Sequence, residues 1–138
     1  MIVKPDRVRD VDLAVTAPPS KSYTHRAFIA GALARGTTTV LGPLDADDTR
    51  LTAAALRALG VKVKWSPGRV TIAGCDGDIP NSRTTTLELE NSGTSLRLLA
   101  SLGMLCRHPV VLTGSARMQE RPVGPLAKAL TALGGSGD

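Results

Sequence analysis

Two short stretches of the chain combine hydroxyls and cations at spacings that could hold an anion: "PPSKSYTHRA" (18–27) and "NSGTSLR" (91–97). Each is small and polar, opens an apolar run, and carries an arginine just inside that run. The start of a helix exposes unpaired backbone N–H groups and the positive end of the helix dipole, which together attract anions. Ser22, Thr94 and Ser95 offer hydroxyl donors at these entrances, and Lys21 adds a point charge at the first. Arg26 and Arg97 sit about one turn in. Side chains on a helix lean toward its N-terminus, so each guanidinium can reach back, and its planar fork matches phosphate or carboxylate. Arg121 is expected at the entrance of the last helix. Taken singly, each feature is an ordinary cap, turn or surface arginine; the reading rests on their recurrence.

Elements that position these groups follow from periodicity and punctuation. Val11, Leu13 and Val15 alternate, so a strand is expected there, ended by Pro18 and Pro19. A helix is expected over 22–34, with Ala27, Ile29, Ala30 and Leu33 available for its buried face and Gly36 as its stop. "TTTVL" (37–41) reads as a strand. Asp45 is placed to cap a second helix, with Asp47 and Asp48 favoured by its dipole and Leu59–Gly60 at its end. "VKVKW" and "RVTIA" about "SPG" form a hairpin, and "TTLELE" (85–90) a further strand. A third helix is expected over 94–106, then strand "PVVLT" (109–113), then "GSARMQER" as a loop. Pro122 suits the first turn of a fourth helix ending at Gly134 and Gly135. This order defines an α/β protein with short strands.

The chain also matches itself. Moving it by 71 places Arg26 on Arg97, Val40-Leu41 on Val111-Leu112 and Arg50 on Arg121; moving it by 74 places "LRALG" (56–60) on "LTALG" (130–134). Helix, strand, loop and helix recur in the same order, so one α/β unit has been duplicated, and with it the helix entrance.

Composition narrows the partners. The 138 residues suit one domain, and with Phe28, Tyr23 and Trp65 as the only aromatics the core must be built from Leu, Val, Ile and Ala. A formal charge of +5 favours acidic partners. The cations are scattered and the aromatics too few to stack bases, so a small anionic metabolite is expected and no nucleic acid. "PPSKS" lacks the glycines of an ATP-type phosphate loop, and no GxGxxG follows a strand. Cys75 and Cys106 form no CxxC, and His25 and His108 have no ligand spacing, so no metal is expected and the thiols read as reduced. No apolar stretch could span a bilayer and no signal region opens the chain, so a cytoplasmic protein with no membrane partner is expected.

Four segments, "PPSKSYTHRA", "LDADDTR", "NSGTSLR" and "RMQERPVGPLAKAL", lie in that order between Pro18 and Leu130. Together they resemble the N-terminal part of the 5-enolpyruvylshikimate-3-phosphate synthases, glyphosate-inhibited transferases of the shikimate pathway of aromatic amino-acid biosynthesis. The resemblance implies repeated βαβαββ-type units of the enolpyruvyl transferase fold, an inside-out α/β barrel, of which this chain is a part. It implies transfer of the enolpyruvyl group of phosphoenolpyruvate to the 5-hydroxyl of shikimate 3-phosphate, with release of phosphate and no cofactor. Residues 1–17 would then be a strand segment of the other domain, 18–133 two repeats of the N-terminal domain, and 134–138 a flexible tail.

Carried over by motif, Lys21, Ser22 and Arg26 bind shikimate 3-phosphate, and Lys21, Gly93 and Arg121 bind phosphoenolpyruvate, with Lys21 also the catalytic candidate. Asn91, Thr94 and Arg97 share the second motif and rank below these as direct ligands. Pro19 stands where the family commonly has glycine. The family's second domain supplies further cations and acidic groups, so little or no turnover is expected of this chain alone. Two alternatives stand beside this reading: a non-catalytic anion-binding module, and an enzyme acting on UDP-N-acetylglucosamine. Against the latter, its opening motif has Lys-Asn where this chain has Lys21-Ser22, and its loop cysteine is absent from "GSARMQER", Cys106 being expected inside a helix.

Overall fold

The computed structural model describes residue 12 and residues 14–136. Of the expected first strand, Val11 and Leu13 lie outside the described residues, while Asp12, Ala14 and Val15 belong to no strand and are exposed. The described elements run α1 (Lys21–Leu33), β1 (Thr37–Leu41), α2 (Asp47–Ala58), β2 (Lys62–Ser66), β3 (Arg69–Ala73), β4 (Thr85–Glu88), α3 (Gly93–Gly103), β5 (Val110–Thr113), α4 (Ala116–Gln119) and α5 (Gly124–Ala132). β1, β3 and β2 form an antiparallel sheet in that order, with Thr37 and Lys62 both opposite Ala73. β4 and β5 pair in parallel, Thr85 opposite Val110, and α3 is the crossover between them. α3 and β5 fall close to where a move of 71 carries α1 and β1, which is the duplicated order read from the sequence.

The core lies between the three long helices and the sheets, and is aliphatic around one ring. Phe28, Leu56, Leu59, Val70, Ile72, Ile79, Leu89 and Leu99 are fully buried, and Trp65 meets Phe28 edge-on at 5.5 Å. Among the described residues no helix is long and apolar enough to cross a membrane.

The face of α1 differs from expectation. Thr24, His25, Phe28, Gly31 and Ala32 are its buried residues; Ala27, Ile29 and Leu33 are half-buried and Ala30 is exposed. The aromatic ring takes the centre of the stripe, and two polar neighbours are tolerated because each finds a hydrogen bond in the interior. Gly31 completes the stripe: a Cβ there would lie 3.2 Å from both Ile72 and Thr38.

Other boundaries moved for local reasons. Ala46, not Asp45, is the N-cap of α2; its amide is held by the Thr49 hydroxyl at 3.1 Å, and Asp45 instead grips Arg50 at 2.6 and 2.7 Å. β4 stops at Glu88, short of the expected Glu90, whose φ of 46° turns the chain toward α3. α3 stops at Gly103, so Cys106 is outside it and bridges Ile79 instead. Asn81 staples the following segment, accepting from the Arg107 amide at 2.9 Å and donating to the His108 carbonyl at 2.8 Å. α4 forms within the expected loop, capped by Ser115 and anchored by the buried Met118, a single apolar contact too brief to show as periodicity. α5 begins at Gly124 with Pro125 in its first turn, in place of Pro122.

Gly74 marks the tightest backbone approach, since a Cβ there would lie 2.0 Å from the Ala34 carbonyl oxygen. Gly74→Ala is expected to destabilise the chain toward the upper end of the about 1–3 kcal/mol typical of overpacking. Urea unfolding checks this, with Gly124→Ala, where a Cβ meets nothing within 4 Å, as the neutral comparison.

Candidate functional site

The N-termini of α1, α2 and α3 meet at Asp48, in the first turn of α2. Lys21, the first residue of α1, places its ammonium on the Asp48 carboxylate. The N-cap of α3, Ser92, is buried and does not cap its own helix. Its hydroxyl turns inward to Ser95 at 2.6 Å. Ser95 meets Thr52 of α2 at 2.8 Å, and Thr52 meets Nδ1 of His25 on α1 at 2.8 Å. Ser95 and Thr52 also lie 3.2 and 3.3 Å from the Asp48 carbonyl oxygen. A row of buried polar groups therefore runs between the helices and ends at the backbone carbonyl of Asp48.

The arginines behave as their positions imply. Arg26 reaches back one turn to the Ser22 carbonyl at 3.2 Å, and Arg97 does the same to the Gly93 carbonyl at 3.0 Å. The two arginines are thus placed alike, although Ser20 caps α1 and Ser92 does not cap α3. Arg121 does not serve the helix that follows it. It comes after the C-cap of α4, three residues before α5, and its guanidinium crosses to Asn91 Oδ1 at 3.2 Å. A Cβ on Gly93 would lie 2.4 Å from Arg121 Nη1 and 3.0 Å from Arg97 Nη1, so the missing side chain is what lets both guanidinium groups close over the start of α3. Among the described residues no ion pair engages Arg26, Arg97 or Arg121.

Of the residues singled out from the sequence, Lys21, Asn91, Gly93, Arg97 and Arg121 come together around the mouths of α1 and α3, with the exposed Ser22 and Arg26 on the adjoining turn of α1. Thr94 is half-buried at the α3 entrance. Ser95, expected to face an anion, is fully buried and spent on Thr52 and Ser92. Sequence reasoning passed over His25, Thr52 and Ser92, and gave Asp48 only a dipole role. A signal was present: His25 follows Lys21, and Thr52 follows Asp48, by one helical turn, and Ser95 follows Ser92 likewise. Each helix carries a polar residue at its mouth and another directly behind it.

The electrostatics match this geometry. The Lys21 ammonium, then the Ser92 hydroxyl, hold the Asp48 carboxyl below its ordinary value against the opposing effect of burial. Burial lowers the proton affinity of His25, helped by Lys21 and Arg26 and opposed by Asp48.

The chain is α/β, built of duplicated units, and gathers cations about the mouths of α1 and α3. The family is shown by comparison: the model for EPSP synthase (3-phosphoshikimate 1-carboxyvinyltransferase) matches residues 5–136, and the chain belongs to that family. It is 60% identical over 135 residues to the 3-phosphoshikimate 1-carboxyvinyltransferase of Methanoculleus marisnigri, covering 98% of this chain and 32% of that protein. The enzyme of the same name from Methanoregula boonei is 58% identical with the same coverage. The EPSP synthase of Acinetobacter baumannii superposes with a TM-score of 0.78 at 35% identity, covering 88% of this chain and 28% of that one. The chain therefore spans about a third of the length of these relatives and adopts part of their α/β fold. Cys106, at the opposite end of α3 from the cluster, is remote from these groups.

A pH dependence follows from His25. With its folded proton affinity lowered, the unfolded chain takes up the proton more readily near pH 6.5, so the stability due to neutral His25 is complete above about 6.5 and is lost as pH falls below it. The loss can reach about 1.4 kcal/mol per pH unit in that range. Asp48 contributes in a separate window, losing its stabilisation only as pH falls below 3.8. Urea unfolding at pH 7.5 and 5 should show the first loss in the native chain and a smaller one in His25→Asn; equal losses would contradict the assignment to His25.

Proposed function

We propose that the chain supplies one part of the active site of a 3-phosphoshikimate 1-carboxyvinyltransferase, which moves the enolpyruvyl group of phosphoenolpyruvate to the 5-hydroxyl of shikimate 3-phosphate and releases phosphate. The observation that carries this reading is the closing of Arg121 and Arg97 over the bare Cα of Gly93, beside the Lys21–Asp48 pair. In this reading Lys21, Ser22 and Arg26 hold shikimate 3-phosphate. Lys21, Gly93 and Arg121 hold phosphoenolpyruvate. Asn91 orients Arg121, while Thr94 and Arg97 shape the floor between them.

The chemistry suits these groups. Each phosphate carries about −1.5 to −2 charges near neutral pH, and phosphoenolpyruvate adds a carboxylate. Two such anions repel, and bringing the 5-hydroxyl against the enol carbon needs that repulsion offset by cations already in place. Lys21, between the two binding sets, does most of this and is positioned to move a proton. The lengths of the relatives leave room for a second domain of the same enzyme, which we propose completes the cleft and the proton transfers. The free Cys75 and Cys106 thiols suit a reducing cytoplasm.

Shikimate 3-phosphate added to the labelled chain is expected to shift amide signals of Lys21, Ser22 and Arg26 and to leave the hairpin at Trp65 unmoved; uniform or absent shifts count against the assignment. Gly93→Ala drives a methyl into the Arg121 guanidinium. It should weaken phosphoenolpyruvate binding about tenfold or more by calorimetry, the scale of a lost charged hydrogen bond, while shikimate 3-phosphate binding holds. Equal loss of both ligands would argue against separate sites.

A further inference from the structure

The two strands of the parallel pair lead into the two arms of the site, and a backbone contact joins those arms beyond the strands. β4 continues through Leu89, whose amide still meets the Thr113 carbonyl at 2.9 Å, into Glu90, Asn91 and Gly93. β5 continues through Gly114 and Ser115 into α4, which delivers Arg121. Glu90 takes the left-handed conformation, with a φ of 46°. A residue with a Cβ costs about 1–2 kcal/mol there, so its surroundings must hold the turn. The Glu90 carbonyl accepts from the Ser115 amide at 2.8 Å. Gly114 lies directly against that carbonyl: a Cβ there would be 2.4 Å from the Glu90 oxygen and 3.1 Å from Met118 Cγ. The oxygen belongs to the backbone and Met118 is buried, so neither gives way freely.

α4 is tied to this junction at its start. Ser115 Oγ accepts from the Met118 amide at 3.3 Å, and Gln119 Nε2 donates to the Gly114 carbonyl at 3.1 Å. The Arg121 amide closes the last turn on the Met118 carbonyl at 3.1 Å. The short helix therefore follows Gly114 and Ser115. From its far end Arg121 Nη2 reaches Asn91 Oδ1 at 3.2 Å, one residue past Glu90. The loop after β5 thus meets the same turn twice, first through backbone and then through a guanidinium, and the first contact sets where the second falls.

We propose that Gly114 is a positioning residue for Arg121: its bare Cα lets the loop seat on the Glu90 carbonyl, which sets α4 and lays the guanidinium over Gly93. That the arginine then meets phosphoenolpyruvate rests on the functional reading above; the seating does not.

The experiment starts from the native chain. The Ser115 amide should exchange with deuterium as slowly as that of Leu89; exchange as fast as in exposed chain overturns the seating. Gly114→Ala is then compared with Gly74→Ala, which also presses a methyl group on backbone but far along the chain, each first confirmed folded by its amide spectrum. Gly114→Ala should shift the Arg121 Nε–H signal and weaken phosphoenolpyruvate about tenfold or more by calorimetry, while shikimate 3-phosphate holds. Gly74→Ala should lower stability and do neither. An unmoved Arg121 signal, or the same phosphoenolpyruvate loss in both variants, overturns the proposal. Gly114→Ala and Asn91→Ala act through one guanidinium, so the double variant should lose no more than the larger single loss; additive losses overturn it. Where Gly114→Ala does not fold, Ser115→Pro takes its place, because proline suits the Ser115 φ of −56° and removes the N–H that Glu90 accepts. It should show the same selective loss, and unchanged phosphoenolpyruvate affinity overturns the proposal. If the native chain binds neither ligand, the functional reading falls and the Arg121 signal alone decides the seating.

Discussion

Like charges gather at one place in this molecule, and the Asp48 carboxylate pairs with the Lys21 ammonium among them. The N-termini of α1, α2 and α3 each present the equivalent of about half a positive charge. Lys21 sits among them, with Arg26, Arg97 and Arg121 around it. Left alone this arrangement repels itself. Asp48 offsets part of the repulsion by accepting the Lys21 ammonium, and it does so from the first turn of a helix, where a carboxylate is favoured. The surplus of positive charge that remains is what an incoming phosphate would meet.

Polar groups in the interior gather behind the same residue. The Asp48 backbone carbonyl has Ser95 and Thr52 at 3.2 and 3.3 Å, and these two hydroxyls meet each other, with Ser92 beyond Ser95 and His25 beyond Thr52. Each of these buried groups has a partner among the others, which is what lets three hydroxyls and a histidine lie within a mainly aliphatic core. Ser92 spends its hydroxyl on Ser95 and not on the amides of α3.

Glycine at position 93 works by absence. Its neighbours are guanidinium tips, not backbone, so a methyl group there could be accommodated by moving them, and the fold would survive. The cost would fall on the site. Gly74 is the opposite case, pressed against the backbone of Ala34 and Gly31, where a methyl group meets atoms that cannot swing aside. The two glycines separate what the fold requires from what the site requires.

The order of helices and strands, the hairpin about Ser66–Gly68, the duplication and the reach of Arg26 and Arg97 back over their own first turns were all legible in the residues, because each depends on neighbours within a few positions. Elements carried by one contact were not: α4 hangs on Met118, and α3 is cut short by Asn81, which is distant along the chain. The side on which α1 is buried went astray because counting apolar residues cannot show that Thr24 and His25 would find partners inside. The destination of Arg121 and the spending of Ser95 on its neighbours likewise needed three dimensions. The sequence by itself determined which cations and hydroxyls stand at helix entrances, since capping and helical spacing are local. Only the tertiary structure decided which of them stand about the mouths of α1 and α3 and which are consumed behind them, since that depends on hydrogen bonds between segments the chain brings together from far apart.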